Sequence, residues 1–351
     1  MRIGLVAPPF ISVPPARYGG TELFISHLAV GLKALGHDVV VYTNGESTVP
    51  VECRHLYPQG EWPIHGEVHG SLKDMNHTSW AVADARSDCD LIHLNNAPGL
   101  ALSRLVQVPF VYTIHHPHDD SLSEFYSYFP DVQYVTISRF QCTREIMPHI
   151  TAIHHGLDLG LYTLTEKKQP YLAFIGRIAP VKGTHLAIAA AKKAGIPLKI
   201  AGEVQPLFRN YFEEQIEPHI DGHAVEYVGE ADLAAKNELL GNALAMLFPI
   251  QWDEPFGLVM TEAMACGTPV IAMPGGSVPE IVRDGVSGWV CHSVDEMVAR
   301  IGEAGRLQPA SIRAYAEESF SVDRMVQQYA ALYEQVVEQH VAASENHRAV
   351  A

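Results

Sequence analysis

The chain has 351 residues, nearly half apolar and under a fifth charged; this suits two ordinary domains and excludes a disordered chain. A formal net charge of −16 argues against nucleic acid or an anionic membrane surface as the main partner, yet leaves room for a local phosphate pocket. Five cysteines with no CxxC pair give no zinc signature. With no signal-peptide pattern and no run of about 18 apolar residues, the expectation is a cytoplasmic protein without integral membrane contact.

Ile3–Ala7 is a short apolar run of the buried parallel-strand kind. A Pro-rich loop leads through Tyr18-Gly19-Gly20 to Thr21, which reads as the N-cap of a helix through Leu35, stopped by Gly36. Asp38–Thr43 completes a βαβ unit whose right-handed crossover sets the Gly-Gly loop at a strand's carboxyl end. Further strands follow at Leu91–Leu94, Pro109–Ile114 and Tyr134–Ile137. The pattern pauses at Ile153–Asp158, and polar Thr163–Pro170 reads as a linker.

A second series starts at Tyr171–Ile175 and continues through a helix at Thr184–Ala194 and strands at Leu198–Ala201, Val225–Val228, Ala245–Pro249 and Pro269–Ala272. Ser293 and Glu296 form a capping-box pattern ahead of a helix ending near Ala304. A last helix, Ser321–Val341, is expected to return to the first domain, with Ala342–Ala351 disordered. Strands alternating with helices, twice over, predict an α/β protein of two doubly wound parallel sheets. The domains are drawn at residues 1–160 and 161–320, sharing one cleft at their strands' carboxyl ends.

No GxGxxG, GxxxxGK[ST] or GxSxG pattern occurs, which disfavours a nicotinamide enzyme, a P-loop NTPase and an α/β-hydrolase. The most informative segment runs from Asp253 to Ala263. Pro255 and Gly257 hold Glu254 in a loop, and Leu258–Cys266 reads as a helix closed by Gly267. The first amides of that helix have no internal partners and suit an anion. Glu262, one turn inside, is placed to take a neutral diol such as a ribose. Arg177 and Lys182 follow the first strand of the second series and suit a diphosphate as planar fork and point charge. Gly19 and Gly20 offer a backbone N–H to the same phosphates. His115, His116 and His118 stand too close along the chain to converge on one ion, so no metal is expected. A His at the end of the Pro109–Ile114 strand is better placed to meet a substrate hydroxyl. His154 and His155 are assigned to the interdomain connection.

Together these residues resemble the retaining glycosyltransferases of family four, which share the GT-B fold: two facing Rossmann-like doubly wound domains with an interdomain cleft. The resemblance rests chiefly on EPFGLVMTEAMACGTPVIAMPGGSVPEIVRDGVSG, Glu254 to Gly288, and on GRIAPVKG, AGE at Ala201–Glu203, TIHH at Thr113–His116 and HGLD at His155–Asp158. YGGTE, Tyr18 to Glu22, is similar to a subgroup of UDP-glucose-dependent glucosyltransferases. The resemblance implies that Glu254 contacts the donor sugar and steadies positive charge at its anomeric carbon. Amides at Phe256, Gly257, Leu258 and Val259 hold the sugar and distal phosphate. Glu262 takes the ribose, Arg177 and Lys182 clamp the diphosphate, and Gly19-Gly20 add an amide. His115 or its neighbour His116 touches the transferred sugar, and Glu203 and Val228 lie by the base. HGLD in place of the commoner NGxD, and AGEVQP without a second glycine, leave the base identity open.

The function expected is hexose transfer with retention, from a nucleotide-sugar donor (UDP-glucose first) to a hydroxyl acceptor, without metal or cofactor. A GT-B nucleotide-sugar epimerase or hydrolase and a non-catalytic nucleotide-sugar-binding protein are the alternatives. Acceptor contacts are expected in loops 8–20, 61–76 and 117–129, where Trp62, Tyr126, Tyr128 and Phe129 are candidate stacking rings.

Overall fold

The computed structural model describes residues 1–16 and 19–350, with side chains through Glu345; Tyr18 of the YGGTE motif and Ala351 lie outside the described residues. Two compact units divide the chain. The first comprises Met1–Gly156 with Val322–Ala351, and the second Leu157–Ser321.

Unit 1 runs β1 (Arg2–Val6), α1 (Gly20–Ala34), β2 (Asp38–Thr43), β3 (Glu52–His55), α2 (Glu67–Ala85), β4 (Leu91–Leu94), β5 (Phe110–Ile114), α3 (Asp120–Ser127), β6 (Gln133–Thr136), α4 (Arg139–Arg144) and β7 (Ile150–Ala152). Its seven strands are all parallel, in the order β3-β2-β1-β4-β5-β6-β7. Side chains alternate across the sheet, so one β1–β2 face sends Ile3, Leu5, Val39 and Val41 against α1. The other sends Val6, Val40 and Tyr42 toward α2. Both faces are covered, which is why these strands read as unbroken apolar runs.

Unit 2 runs β8 (Leu172–Ile175), α5 (Thr184–Ala194), β9 (Leu198–Ala201), α6 (Arg209–Gln215), β10 (Val225–Gly229), α7 (Leu233–Asn242), β11 (Ala245–Phe248), α8 (Leu258–Ala265), β12 (Val270–Ala272), α9 (Val278–Ile281), β13 (Gly288–Val290), α10 (Val294–Ile301) and α11 (Pro309–Phe320). Six parallel strands take the order β10-β9-β8-β11-β12-β13. In each unit the chain winds outward from a central strand and then restarts on its other side, at β1/β4 and at β8/β11. These are the switch points beyond which ligands of doubly wound sheets bind.

The chain then returns as α12 (Val322–Val350), which belongs to unit 1. Met325, Val326, Tyr329, Ala330, Tyr333 and Val336 enter the same core as α1. Buried His93 of β4 fixes this packing: Nδ1 lies 2.6 Å from Tyr333 Oη and Nε2 2.8 Å from Thr113 Oγ1, which lies 2.9 Å from Tyr329 Oη. Among the described residues no helix is long and apolar enough to cross a membrane.

Several local expectations need correction. Gly19, not Thr21, occupies the N-cap of α1, and no side chain among the described residues caps the helix. The sequence reading has no counterpart for β3, α2 or β7, whose apolar positions are sparse or irregular. Thr163–Pro170 lies inside unit 2 rather than acting as a free linker. Lys168 Nζ donates there to the carbonyls of Gly241 and Cys266 and to Thr268 Oγ1, and burial lowers its pKa to about 8. α10 ends at Ile301, short of Ala304. Its Ser293 cap accepts from the Glu296 amide, but the Glu296 carboxylate reaches back to the His292 amide instead of closing on Ser293. α12 is helical through Val350, into the segment expected to be disordered, because no Gly or Pro interrupts its helix formers.

Candidate active site

In unit 2 the loops after β8 and β11 meet at the switch point. Gly183 makes this possible: it is left-handed (φ 71°), and a Cβ there would stand 1.9 Å from the Pro249 carbonyl oxygen. The Gln251 amide bonds the Val181 carbonyl at 2.7 Å and ties the two loops together. Lys182 is thereby brought to Glu254. Its Nζ donates to Glu254 Oε2 at 2.5 Å and lies 4.6 Å from the Trp252 ring centroid, while Trp252 Nε1 donates to the same oxygen at 2.9 Å. Glu254 is only 8% exposed, so this carboxylate is held by two donors in a desolvated setting. Trp252 is a partner that sequence reasoning passed over, although it stands two residues from Glu254.

Phe256 is buried and packs edge-on to Phe320. Gly257, at φ 78°, is the N-cap of α8; a Cβ there would press on Met260 and Glu254, so only glycine lets the helix start beside that carboxylate. No side chain caps α8, and the amides of its first turn, including Leu258 and Val259, have the orphan character that suits an anion.

Glu262 is only 7% exposed, in the second turn of α8. Its carboxylate already accepts from Tyr162 Oη (2.9 Å) and from Lys236 Nζ (2.8 and 3.1 Å), two groups that sequence reasoning missed because they lie 100 and 26 residues away. Burial, with the nearby Glu262 charge second, pushes the Tyr162 phenol well above its ordinary pKa, so it remains a donor. A carboxylate has about four lone-pair sites; these three bonds leave one, enough for a single hydroxyl of a diol.

Arg177 also follows β8, but it is exposed and has no ion-pair or hydrogen-bond partner among the described residues. Glu203, after β9, is exposed; its carboxylate accepts from Gln205 at 3.1 Å and its carbonyl from the Ile178 amide at 2.9 Å. Val228 sits on the edge strand β10 at a register shift between Tyr227 and Gly229, and is 44% exposed.

Unit 1 carries the remaining candidates. Gly19 and Gly20 stand at the amino end of α1, after the switch-point strand β1. Buried Glu22 is one turn in. Its carboxyl oxygen comes close to Gly19 and its pKa is raised by burial, an acid at this turn that sequence reasoning left without a role. His115 follows β5. Its Nε2 lies 2.9 Å from Asn95 Oδ1, an oxygen oriented by the Asn95 amide's bond to the Val6 carbonyl, so Nε2 carries the proton and Nδ1 is an acceptor without a partner among the described residues. Phe24 packs edge-on to His115 and His155 stacks on it at 5.6 Å; burial, then His155, holds its pKa well below the ordinary value. The pair His115/His116 is thus distinguished: His116 turns to Tyr126 Oη at 2.6 Å, and His118 to Glu145 and Asp120. His155 packs into unit 1 beside His115 and Phe24. Of the expected stacking rings, Tyr126 and Phe129 belong to the buried core, whereas Trp62 and Tyr128 are exposed.

Known proteins match both units. A family model described as Glycosyltransferase Family 4 covers residues 18–159, and one described as Glycosyl transferases group 1 covers residues 163–317. The glycogen synthase of Mycobacterium tuberculosis is 26% identical over 353 residues, spanning 84% of this chain and 83% of that protein. The D-inositol 3-phosphate glycosyltransferase of Mycolicibacterium smegmatis is 31% identical over 193 residues, 48% of this chain and 43% of its own. AviGT4, a glycosyltransferase involved in avilamycin A biosynthesis, superposes with a TM-score of 0.71 at 25% identity over 96% of this chain and 98% of that one. Sucrose-phosphate synthase of Thermosynechococcus elongatus gives 0.79 at 19% identity (96% and 99%), and Anabaena HepE in complex with UDP gives 0.73 at 20% (95% and 100%). Fold and matches together define the class: a glycosyltransferase of GT-B type. Within that class, the chain belongs to glycosyltransferase family 4.

Proposed function

We propose that the chain transfers a hexose from UDP-glucose to a hydroxyl acceptor, with retention at the anomeric carbon and without a metal ion. The observation that carries this reading is the cluster at the β8/β11 switch point: Lys182 locked on Glu254, exposed Arg177, and the uncapped start of α8. Leaving-group departure puts negative charge on the β-phosphate, and two cations with first-turn amides are the groups that would stabilise it. Glu254, already desolvated, would face the positive charge growing at the anomeric carbon. The bond from that carbon to the phosphate oxygen breaks as the bond to the acceptor oxygen forms on the same face, and the acceptor proton passes to the departing phosphate. This needs no separate base. The Glu262 carboxylate, oriented by Tyr162 and Lys236, would take a ribose hydroxyl, and His115 would offer Nδ1 to a sugar hydroxyl. UDP is favoured because Anabaena HepE, of the same fold, has been solved with UDP and with UDP-glucose.

The test is a panel of UDP-glucose, UDP-galactose, UDP-GlcNAc and GDP-mannose, followed by melting temperature and by release of nucleoside diphosphate in EDTA with and without a pool of hydroxyl acceptors, on which the release should depend. UDP species should raise the melting temperature and be consumed; a shift with GDP-mannose alone, or turnover abolished by EDTA, would refute the reading.

A further inference from the structure

Two strands along the unit 1 sheet from β1, the loop after edge strand β3 and helix α2 line an open cleft of about 380 Å³ formed by Tyr57, Glu61, His69, Leu72, Lys73 and Asn76. That volume lies near the lower end of small-molecule sites, about 300–1,000 Å³. Its walls are organised in advance. Lys73 Nζ donates to Glu61 Oε2 at 2.8 Å, and it lies 4.9 Å from the Tyr57 ring centroid and 5.9 Å from that of Phe10. Asn76 Nδ2 donates to Tyr57 Oη at 2.8 Å, and His65 and His69 reach the two Glu61 oxygens at 3.0 and 3.2 Å. Leu72 stands beside these groups 64% exposed, an apolar side chain with nothing covering it.

Two features of this lining select a ligand. One apolar patch (Leu72, with the Tyr57 ring) next to planar and charged hydrogen-bonding groups matches a pyranose, which has an apolar C–H face and a rim of hydroxyls. The charges also cancel. Lys73, then His65 and His69, hold the Glu61 carboxyl down to about 2, so the Glu61 carboxylate offsets the Lys73 ammonium bonded to it and leaves no surplus charge for a phosphate. We propose that this cleft binds a neutral sugar residue of the acceptor, so that the acceptor is a glycan or glycoside. The inference rests on the transferase reading above and names its second substrate class.

Saturation-transfer NMR on the full chain tests it, with methyl α-glucopyranoside, methyl β-galactopyranoside and maltose as neutral probes and glucose 1-phosphate as the anionic one. At least one neutral probe should receive saturation. Leu72→Arg, a change at an exposed position that fills the cleft with a charge, should remove the signal; Lys73→Met should weaken binding at least tenfold. UDP should raise the melting temperature of both variants as in the parent. Silence from every neutral probe, an unchanged signal in both variants, or tighter binding of glucose 1-phosphate would overturn the proposal and leave the Glu61–Lys73 pair as a loop clamp. Failure of the transferase reading appears separately, as no stabilisation by UDP in the parent protein.

Discussion

Arg177 and Lys182 have been given the same chemical task, yet their surroundings predict different consequences of losing them. Arg177 is exposed and unpartnered, so Arg177→Ala should lower turnover by about two to three orders of magnitude while the melting temperature stays put. Lys182→Met should lose comparable turnover and also stability, about 1–3 kcal/mol, because Glu254 would remain desolvated with Trp252 as its remaining donor. Parallel kinetics and urea titrations separate the two; equal stability losses would show that Lys182 is not the group holding Glu254. Lys236→Met should act like Lys182→Met on stability through Glu262. Both glutamates were legible from their spacing and loop residues. Their pairings were not: Lys182 was read as a phosphate cation rather than as the partner of Glu254, and Tyr162 and Lys236 reach Glu262 only once the segment before β8 and helix α7 have packed on α8.

At the scale of elements, strand-to-helix loops set the site, and glycine decides how closely they approach. Gly183 and Gly195 flank α5 with almost the same left-handed backbone, φ 71° and 68°. An added Cβ at Gly195 meets nothing within 4 Å, whereas at Gly183 it meets the Pro249 carbonyl at 1.9 Å. Gly195→Ala should therefore cost only the conformational penalty, about 1–2 kcal/mol. Gly183→Ala should cost on the order of 4 kcal/mol or more, since backbone must move away from backbone. Chemical denaturation of the two variants isolates the contact; similar midpoints would mean the loops can part at little cost. The GRIAPVKG segment was readable as a strand followed by a cationic turn, but the other loop it touches lies more than sixty residues on and was visible only in the fold.

For the whole molecule, α12 closes the unit in which the chain begins. Burial of a large apolar side chain contributes roughly 1.5–3 kcal/mol, so the α12 residues in the core together rival the roughly 5–15 kcal/mol of a domain's net stability. A chain ending at Ser321 should bind a hydrophobic dye and lose its cooperative melting transition, while one ending at Val341 should melt like the parent. Native melting of the shorter chain would contradict this packing. Unit 1 also sets an acid limit. Burial lowers the pKa of His93 to about 3 and of His77 and His155 to about 4, against about 6.5 in an unfolded chain. The unfolded state then binds more protons below pH 6.5, so stability is full above that value and falls as pH drops toward 4. Asp74 opposes this: burial raises it to about 6, so its contribution is present below about 4 and lost as pH rises through 6. Buried His115 is depressed in the same sense and buried Glu22 is raised like Asp74, so four buried histidines outweigh two buried carboxyls, and melting temperatures from pH 7.5 to 4.5 should decline below 6.5; a flat profile would show that these rings are hydrated in the native state.

Periodicity and chain punctuation by themselves determined the alternation of strand and helix, the doubled parallel architecture and the E-x7-E segment with its cations. These follow from local rules: apolar runs buried on both faces, and glycines where a strand turns into a helix. Tertiary structure decided which carboxylate oxygens are already occupied, which of two adjacent histidines keeps a free ring nitrogen, and which aromatic residues are core rather than surface. Those outcomes depend on side chains distant along the chain reaching one another, and such contacts leave no periodic trace in the order of the residues.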